Sequence, residues 1–208
     1  AVWLVRQRGI YMQEAVPPGE GSMAAIFGLS AESCKSLCQE ASDAGIVEPA
    51  NFNSPEQIVI AGKTPAVEKA MKMAKDYGAK RAVKLSVSGP FHCSLLQPAS
   101  LRLAEALGRV RIKDAEIPVI ANVSAEPVTE AATIRENLIK QVSESVKWQQ
   151  SVEKMLELGV NTFLEIGPEK VLSGLIKKIA KNAEIYNIED VGTLRQTVAA
   201  LEGAEIYG

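Results

Sequence analysis

The sequence predicts an α/β protein in which a βαββαβ unit of the ferredoxin-like kind interrupts a helix-rich α/β domain. Three observations predict it. Residues 21–88 alternate apolar strand-like runs with amphipathic helical ones in the order strand, helix, strand, strand, helix, strand. An amphipathic segment precedes that unit and is cut off by Pro17-Pro18-Gly19. After residue 88, helices alternate with short strands, the pattern of a mainly parallel sheet.

The elements follow in order. Residues 2–16 read as a helix, with Val2, Leu4, Val5, Met12 and Val16 on one broad apolar stripe. Residues 23–29 form a strand, and Ser30 caps a helix that runs to about residue 43. Strands over 47–52 and 57–62 are joined by a turn at Asn53-Ser54-Pro55-Glu56. Thr64-Pro65 opens a helix to residue 77, with proline tolerated in its first turn and Gly78 ending it. Residues 82–87 close the unit, whose two helices can lie on one face of a four-stranded sheet. Beyond the loop 88–91, helices are expected over 95–107, 134–141, 148–157 and 171–180. Short strands are expected over 117–122 and 162–166, too few for a complete sheet. Residues 202–208 lack a period and read as a loose tail.

Composition narrows the function classes. The 208 residues are 47% apolar and 23% charged, with a net charge of −2, so no polyanion-binding surface is indicated. No apolar run approaches the roughly 20 residues of a membrane span, and no signal peptide is visible. Three cysteines form no disulfide framework and suit a reducing compartment. Cys34 and Cys38 can share a helix face, but the single histidine is remote in sequence, which argues for packing thiols over zinc ligands. Ala1 begins inside an amphipathic pattern with no initiator Met, which reads as a truncated N-terminus.

Two residues stand out chemically. His92 follows the loop Ser88-Gly89-Pro90-Phe91 at a strand end, where an imidazole can serve as general base or simply be a satisfied polar group. Arg8 lies between Leu4 and Met12 at i, i+4, i+8, inside the apolar stripe. A guanidinium there needs an internal Asp or Glu, a carboxylate or phosphate on a ligand, or a path to solvent along its own stem. Asn51 and Asn53 read as turn chemistry before Pro55, and Glu165 and Glu169 as loop polarity around Gly167-Pro168. No Gly-x-Ser-x-Gly elbow and no Gly-rich phosphate loop occurs.

Six pieces in order carry a resemblance: Arg8-Gly9-x-x-Met12-Gln13; Met23-Ala24-Ala25-Ile26; Asn51-Phe52-Asn53-Ser54-Pro55-x-Gln57-x-Val59-Ile60-Ala61-Gly62; Val87-Ser88-Gly89-Pro90-Phe91-His92; Val146-x-Trp148; and Glu165-Ile166-Gly167-Pro168. From about residue 1 to 201 the chain resembles the malonyl-CoA:acyl-carrier-protein transacylase family and the acyltransferase domains of fatty-acid and polyketide synthases. The resemblance implies a partial α/β-hydrolase-like large domain, residues 1–20 and 89–208, with an inserted ferredoxin-like small domain at 21–88. It implies transfer of malonyl from malonyl-CoA to the pantetheine thiol of acyl carrier protein through a malonyl-serine, with no cofactor or metal. It implies a cytoplasmic protein that is a monomer when complete and binds neither nucleic acid nor membrane.

By the same resemblance, His92 is the general base and Arg8 grips the malonyl carboxylate. Met12 packs against the acyl group, and Asn51 and Asn53 line the cleft between domains. Phe91 disfavours an α-methyl on the acyl group, and the main chain of Lys147 orients His92. The serine-bearing segment of the family falls before Ala1, so the 208 residues alone are expected not to transfer malonyl. The competing readings are a non-catalytic CoA or carrier-protein binding module and a small-molecule sensor built on the βαββαβ unit.

Overall fold

The computed structural model describes residues 1–205. They fall into two compact units, Ala1–Ser151 and Val152–Gly208.

The first unit opens with α1 (Val2–Ala15). Leu4, Tyr11, Met12, Ala15 and the following Val16 pack with Leu96, Leu103 and Leu107. The apolar stripe is narrower than expected, because Val2 and Val5 are 85% and 69% exposed. The packing face runs through positions 4, 8, 11, 12 and 15, one side of a 3.6-residue period that excludes 2 and 5.

Next come β1 (Gly21–Phe27), α2 (Ala31–Ala41), β2 (Val47–Ser54), β3 (Gln57–Lys63), α3 (Thr64–Met73) and β4 (Arg81–Lys84). Ser30 caps α2, its Oγ accepting from the Ser33 N–H at 3.1 Å. The four strands form one sheet in the order β2-β3-β1-β4, antiparallel at every step. Side-chain alternation divides β1 and β3 between two cores. Ala24, Ile26, Ile58 and Ile60 join Leu37 and Val67 of the two helices. Met23, Ala25, Val59 and Ala61 face the other way and meet Cys93 and Phe91. Burial on both faces explains why these strands read as continuous apolar runs.

Three boundaries differ from the sequence reading. β2 extends through Ser54, which is buried, so the connecting turn is only Pro55-Glu56. α3 ends at Met73 and a series of turns carries the chain to Gly78, whose φ is +94°. β4 stops at Lys84, paired with Ala24 of β1; one more bond, Leu85 N–H to Met23 O at 2.9 Å, follows before the chain leaves the sheet. At Gly62 a Cβ would collide with the Ile46 carbonyl, so only glycine permits this approach of β3 to the chain entering β2.

A short 3-10 turn, Ser94–Leu96, leads into α4 (Gln97–Gly108). The expected strand at 117–122 reduces to β5 (Val119–Ile120), paired antiparallel with β6 (Pro127–Val128). Pro118 lacks an N–H, and Ala121 N–H already bonds to Glu126 O across the tight turn. This pair is a hairpin and not part of a parallel sheet. α5 (Ala131–Lys140) and the start of α6 (Trp148–Glu157) complete the unit.

The second unit contains β7 (Thr162–Ile166), α7 (Val171–Ile179), β8 (Glu184–Ile188) and α8 (Val191–Glu205), with β7 and β8 parallel. The Glu165 carboxylate accepts from the Leu172 and Ser173 N–H groups at 3.0 and 2.8 Å, and from Ser173 Oγ at 2.6 Å. It thus caps the start of α7 and is more than loop polarity. β8 and α8 were not expected. Asp190 marks the start of α8, accepting from the Thr193 N–H at 2.7 Å. The expected tail is helical through Glu205, and residues 206–208 lie outside the described residues. Among the described residues no helix is long and apolar enough to cross a membrane.

Candidate active site

His92 sits in the left-handed region, φ 59°, at the end of the loop that leaves β4. Such a conformation is uncommon for a side chain with a Cβ and persists only when neighbours fix it. Its loop is held on one side by Gly21 of β1, where any Cβ would run into the Pro90 ring. It is held on the other by the buried Cys93, whose Sγ–H donates to Pro90 O at 3.2 Å.

The His92 Nδ1 lies 2.8 Å from the main-chain oxygen of Gln141. A carbonyl only accepts, so Nδ1 carries the hydrogen and the Nε2 lone pair is free. The orienting carbonyl is therefore that of Gln141 and not that of Lys147. The Lys147 carbonyl is occupied in the first turn of α6, accepting from the Ser151 N–H at 2.9 Å and Ser151 Oγ at 2.8 Å. Burial pushes the His92 pKa below its ordinary value, and the nearby Arg8 charge pushes the same way. The main chains of Gln141 and Glu144 pull it back up.

Arg8 lies on the packing face of α1, half-buried, with its Nε buried and without a hydrogen-bond partner. Among the described residues it forms no ion pair. Burial lowers its pKa from the ordinary value, the mark of a charge that has lost water and gained no counter-charge.

Arg8, Met12, Phe91 and His92 line one cavity of about 360 Å³, completed by Gly9, Gln13 and Ser88. His92 also borders a polar cavity of about 420 Å³, with Glu48, Ser94, Ser143 and Lys147 in its wall. Asn51 and Asn53 line neither. They stand on β2, where the flanking main chain binds Val146: Val146 N–H donates to Ala50 O and Phe52 N–H to Val146 O, both at 2.8 Å. An apolar cavity of about 280 Å³ near Val119 and Leu138 has no ionisable side chain in its wall and offers packing only.

Chemically, the first cavity pairs an imidazole base with a fixed cation and an apolar wall. That suits a carboxylate-bearing substrate attacked by a nucleophile that must lose a proton. Cys93 is not that nucleophile. Burial, with the Glu48 charge adding to it, pushes its thiol up to about 12, so no thiolate forms near neutral pH. Among the described residues no group of three His, Cys, Asp or Glu could hold a metal ion. Gln141 and Glu48 escaped the sequence reading, and Gln13 and Ser88, though within the segments that carry the resemblance, were given no role there. Gln141 acts through its main chain, which leaves no signal in residue identity.

Comparison with known proteins agrees with this geometry. Residues 1–206 match the acyl transferase domain family. The chain is 48% identical over 203 residues to the malonyl CoA-acyl carrier protein transacylase of Bacillus subtilis, covering 97% of this chain and 64% of that protein. It is 48% identical over 179 residues to the Escherichia coli K12 protein of the same name, covering 86% and 58%. A solved malonyl CoA-acyl carrier protein transacylase from Clostridium perfringens superimposes with a TM-score of 0.95 at 46% identity, covering 99% of this chain and 65% of that one. A malonyl-transacylase solved in complex with a type II polyketide-synthase acyl-carrier protein gives 0.92 at 43% identity, covering 97% and 64%. The chain thus spans just under two-thirds of the length of these relatives. With the whole matched length in one family model and the site built on the residues that carry the likeness, the chain belongs to the acyl transferase domain family.

Proposed function

We propose that this chain is part of a malonyl-CoA:acyl-carrier-protein S-malonyltransferase. The observation that carries this reading is a half-buried guanidinium, its Nε buried without a partner and with no internal counter-charge among the described residues, sharing one cavity with an imidazole whose Nδ1 is bonded to Gln141 O and whose Nε2 is left to act as base. A substrate that brings its own carboxylate completes the pair.

His92 Nε2 takes the proton of a serine hydroxyl as that oxygen attacks the malonyl thioester carbonyl. The serine lies outside these 208 residues, which contain no Gly-x-Ser-x-Gly sequence. Collapse of the tetrahedral adduct expels the CoA thiolate, which takes the proton from the imidazolium. The pantetheine thiol of an acyl carrier protein then gives its proton to Nε2 and attacks the malonyl-serine, and the serine leaves reprotonated. Arg8 holds the malonyl carboxylate throughout by charge-assisted hydrogen bonds. Met12 and Phe91 supply the apolar wall beside the acyl carbons. The reaction needs no cofactor beyond malonyl-CoA itself.

The partner follows from the relative solved with an acyl-carrier protein. The three free thiols fit a cytoplasmic setting. We also read residues 21–88 as a ferredoxin-like insert in a large domain made of 1–20 and 89–208. The βαββαβ order and the strand order β2-β3-β1-β4 support that division. Asn51 and Asn53 would border a cleft between those two domains.

The test is a rapid quench of the complete enzyme with labelled malonyl-CoA and acetyl-CoA. Fast acid-stable labelling by malonyl and slow labelling by acetyl is expected. No covalent malonyl-enzyme would overturn the proposal.

A further inference from the structure

We propose that Glu48 is a positioning residue for His92, its carboxylate clamping the loop that holds the imidazole against Gln141. Glu48 lies on β2, half-buried, 44 residues before His92 in sequence. Its Oε2 accepts from the Ser94 N–H at 2.7 Å and its Oε1 from Ser94 Oγ at 2.8 Å. Two bonds from one carboxylate fix both the position and the rotation of Ser94, two residues beyond His92.

The clamp is needed because His92 is held at φ 59°, which surrounding structure must over-determine. Upstream, Pro90 is wedged against Gly21 and tied to Cys93 Sγ. Downstream, the fixing point is Glu48.

The same short stretch of β2 also holds the acceptor's side of the pair. Pro49 O accepts from Ser145 Oγ at 2.6 Å, and Ala50 O accepts from the Val146 N–H at 2.8 Å. Three consecutive residues therefore grip both the loop that carries His92 and the segment that follows Gln141. The strand sets the 2.8 Å Nδ1···O separation from both ends. A shift of about 1 Å in such a pair is enough to cost on the order of 100-fold in rate.

The meaning of this clamp for catalysis rests on the transferase reading, but its geometry does not. The test exploits His92 being the sole histidine, so that a long-range ¹H–¹⁵N spectrum shows one imidazole. In the native protein the spectrum is expected to show the Nδ1–H form with an unprotonated Nε2. Glu48→Ala is expected to lose that dominance and move toward the Nε2–H form favoured by a free imidazole. Glu48→Gln, whose single amide oxygen can accept from the Ser94 N–H while its NH₂ donates to Ser94 Oγ, is expected to keep it, which separates positioning from charge.

Ser94→Ala removes one of the two bonds from an exposed side chain and is read should Glu48→Ala fail to fold. A smaller move in the same direction is expected. An unchanged tautomer in the folded Ala variants overturns the proposal. In the complete enzyme, Glu48→Ala is expected to lower kcat roughly 10- to 100-fold with KM for malonyl-CoA little changed. A native enzyme without transfer activity would sink the transferase reading and leave the imidazole spectrum fully informative.

Discussion

His92 donates its Nδ1 hydrogen to the main-chain oxygen of Gln141, 49 residues further along the chain, across 2.8 Å. The acceptor is a peptide carbonyl and not a carboxylate. It fixes the tautomer without adding a negative charge that would stabilise the imidazolium. Burial and the Arg8 cation act in the opposite sense to the carbonyl, so the imidazole is held neutral and ready to accept.

Removing that acceptor for protons should silence the first step. In the complete enzyme, His92→Ala is expected to slow malonyl-serine formation by about 10²–10⁴-fold, the usual worth of a general base. Quenched-flow labelling with malonyl-CoA measures it. Labelling at the native rate would remove His92 from the mechanism.

Arg8→Ala tests the clamp. A charge-assisted contact is worth about 1.5–3 kcal/mol, so malonyl transfer is expected to fall roughly 10- to 100-fold while acetyl transfer changes little. The informative quantity is the ratio of the two kcat/KM values. Equal losses on both substrates would show that Arg8 supports the fold and not the carboxylate.

The pH behaviour has a definite sign. The His92 pKa lies below its ordinary 6.5 in the folded chain, so the base-competent form survives to lower pH than a free histidine would allow. Below 6.5 the unfolded chain binds the extra proton first, so this group's contribution to stability is lost as pH falls from there through the folded value. Arg8→Gln removes a cation that disfavours imidazolium and is expected to raise the His92 pKa. An NMR titration of the single imidazole reads both effects. A downward shift in Arg8→Gln would contradict the shared cavity.

Phe91 packs against two apolar clusters and also faces the cavity. Phe91→Ser is expected to relax discrimination against an α-methyl. One methyl is worth about 1–3 kcal/mol, so the malonyl-to-methylmalonyl ratio of kcat/KM should fall by about 10-fold or more. Some loss of stability accompanies it, because the ring leaves a hole between the clusters. An unchanged ratio would relieve Phe91 of any part in selectivity.

Gly62→Ala tests the small sheet. The added methyl meets the Ile46 carbonyl, which is backbone and cannot rotate away. A cost of about 1–3 kcal/mol or more is expected, seen as a lowered Tm. A native Tm would show that the entry to β2 yields easily.

The sequence made the βαββαβ unit readable because its signals are local: a Ser cap at residue 30, a proline in the first turn of α3, a glycine at residue 78. Strand ends were less readable, since β4 leaves the sheet at Lys84 while its partner β1 continues to Gly21 beside β3 alone, a parting that no residue type announces. α8 and β8 were missed although Asp190 and the alternation over 184–188 are visible signals. In the site, Arg8 and His92 were legible because a charge on an apolar face and a sole histidine are conspicuous. The His92 orienter was misplaced because carbonyls are the same in every residue. Only the fold shows that the one at Gln141 is in reach and the one at Lys147 already taken.

The sealing of Cys93 has a chemical consequence of its own. The proposed substrates are thioesters, and a reactive sulfur beside the imidazole would intercept the acyl group in a dead-end exchange. Closed off from solvent and bonded to Pro90 O, that sulfur stays protonated, as burial also keeps Cys34 and Cys38 from outside reagents. Alkylating agents such as iodoacetamide are therefore expected to react slowly with the thiols of the folded protein. An electrophilic inhibitor would have to seek an oxygen nucleophile instead.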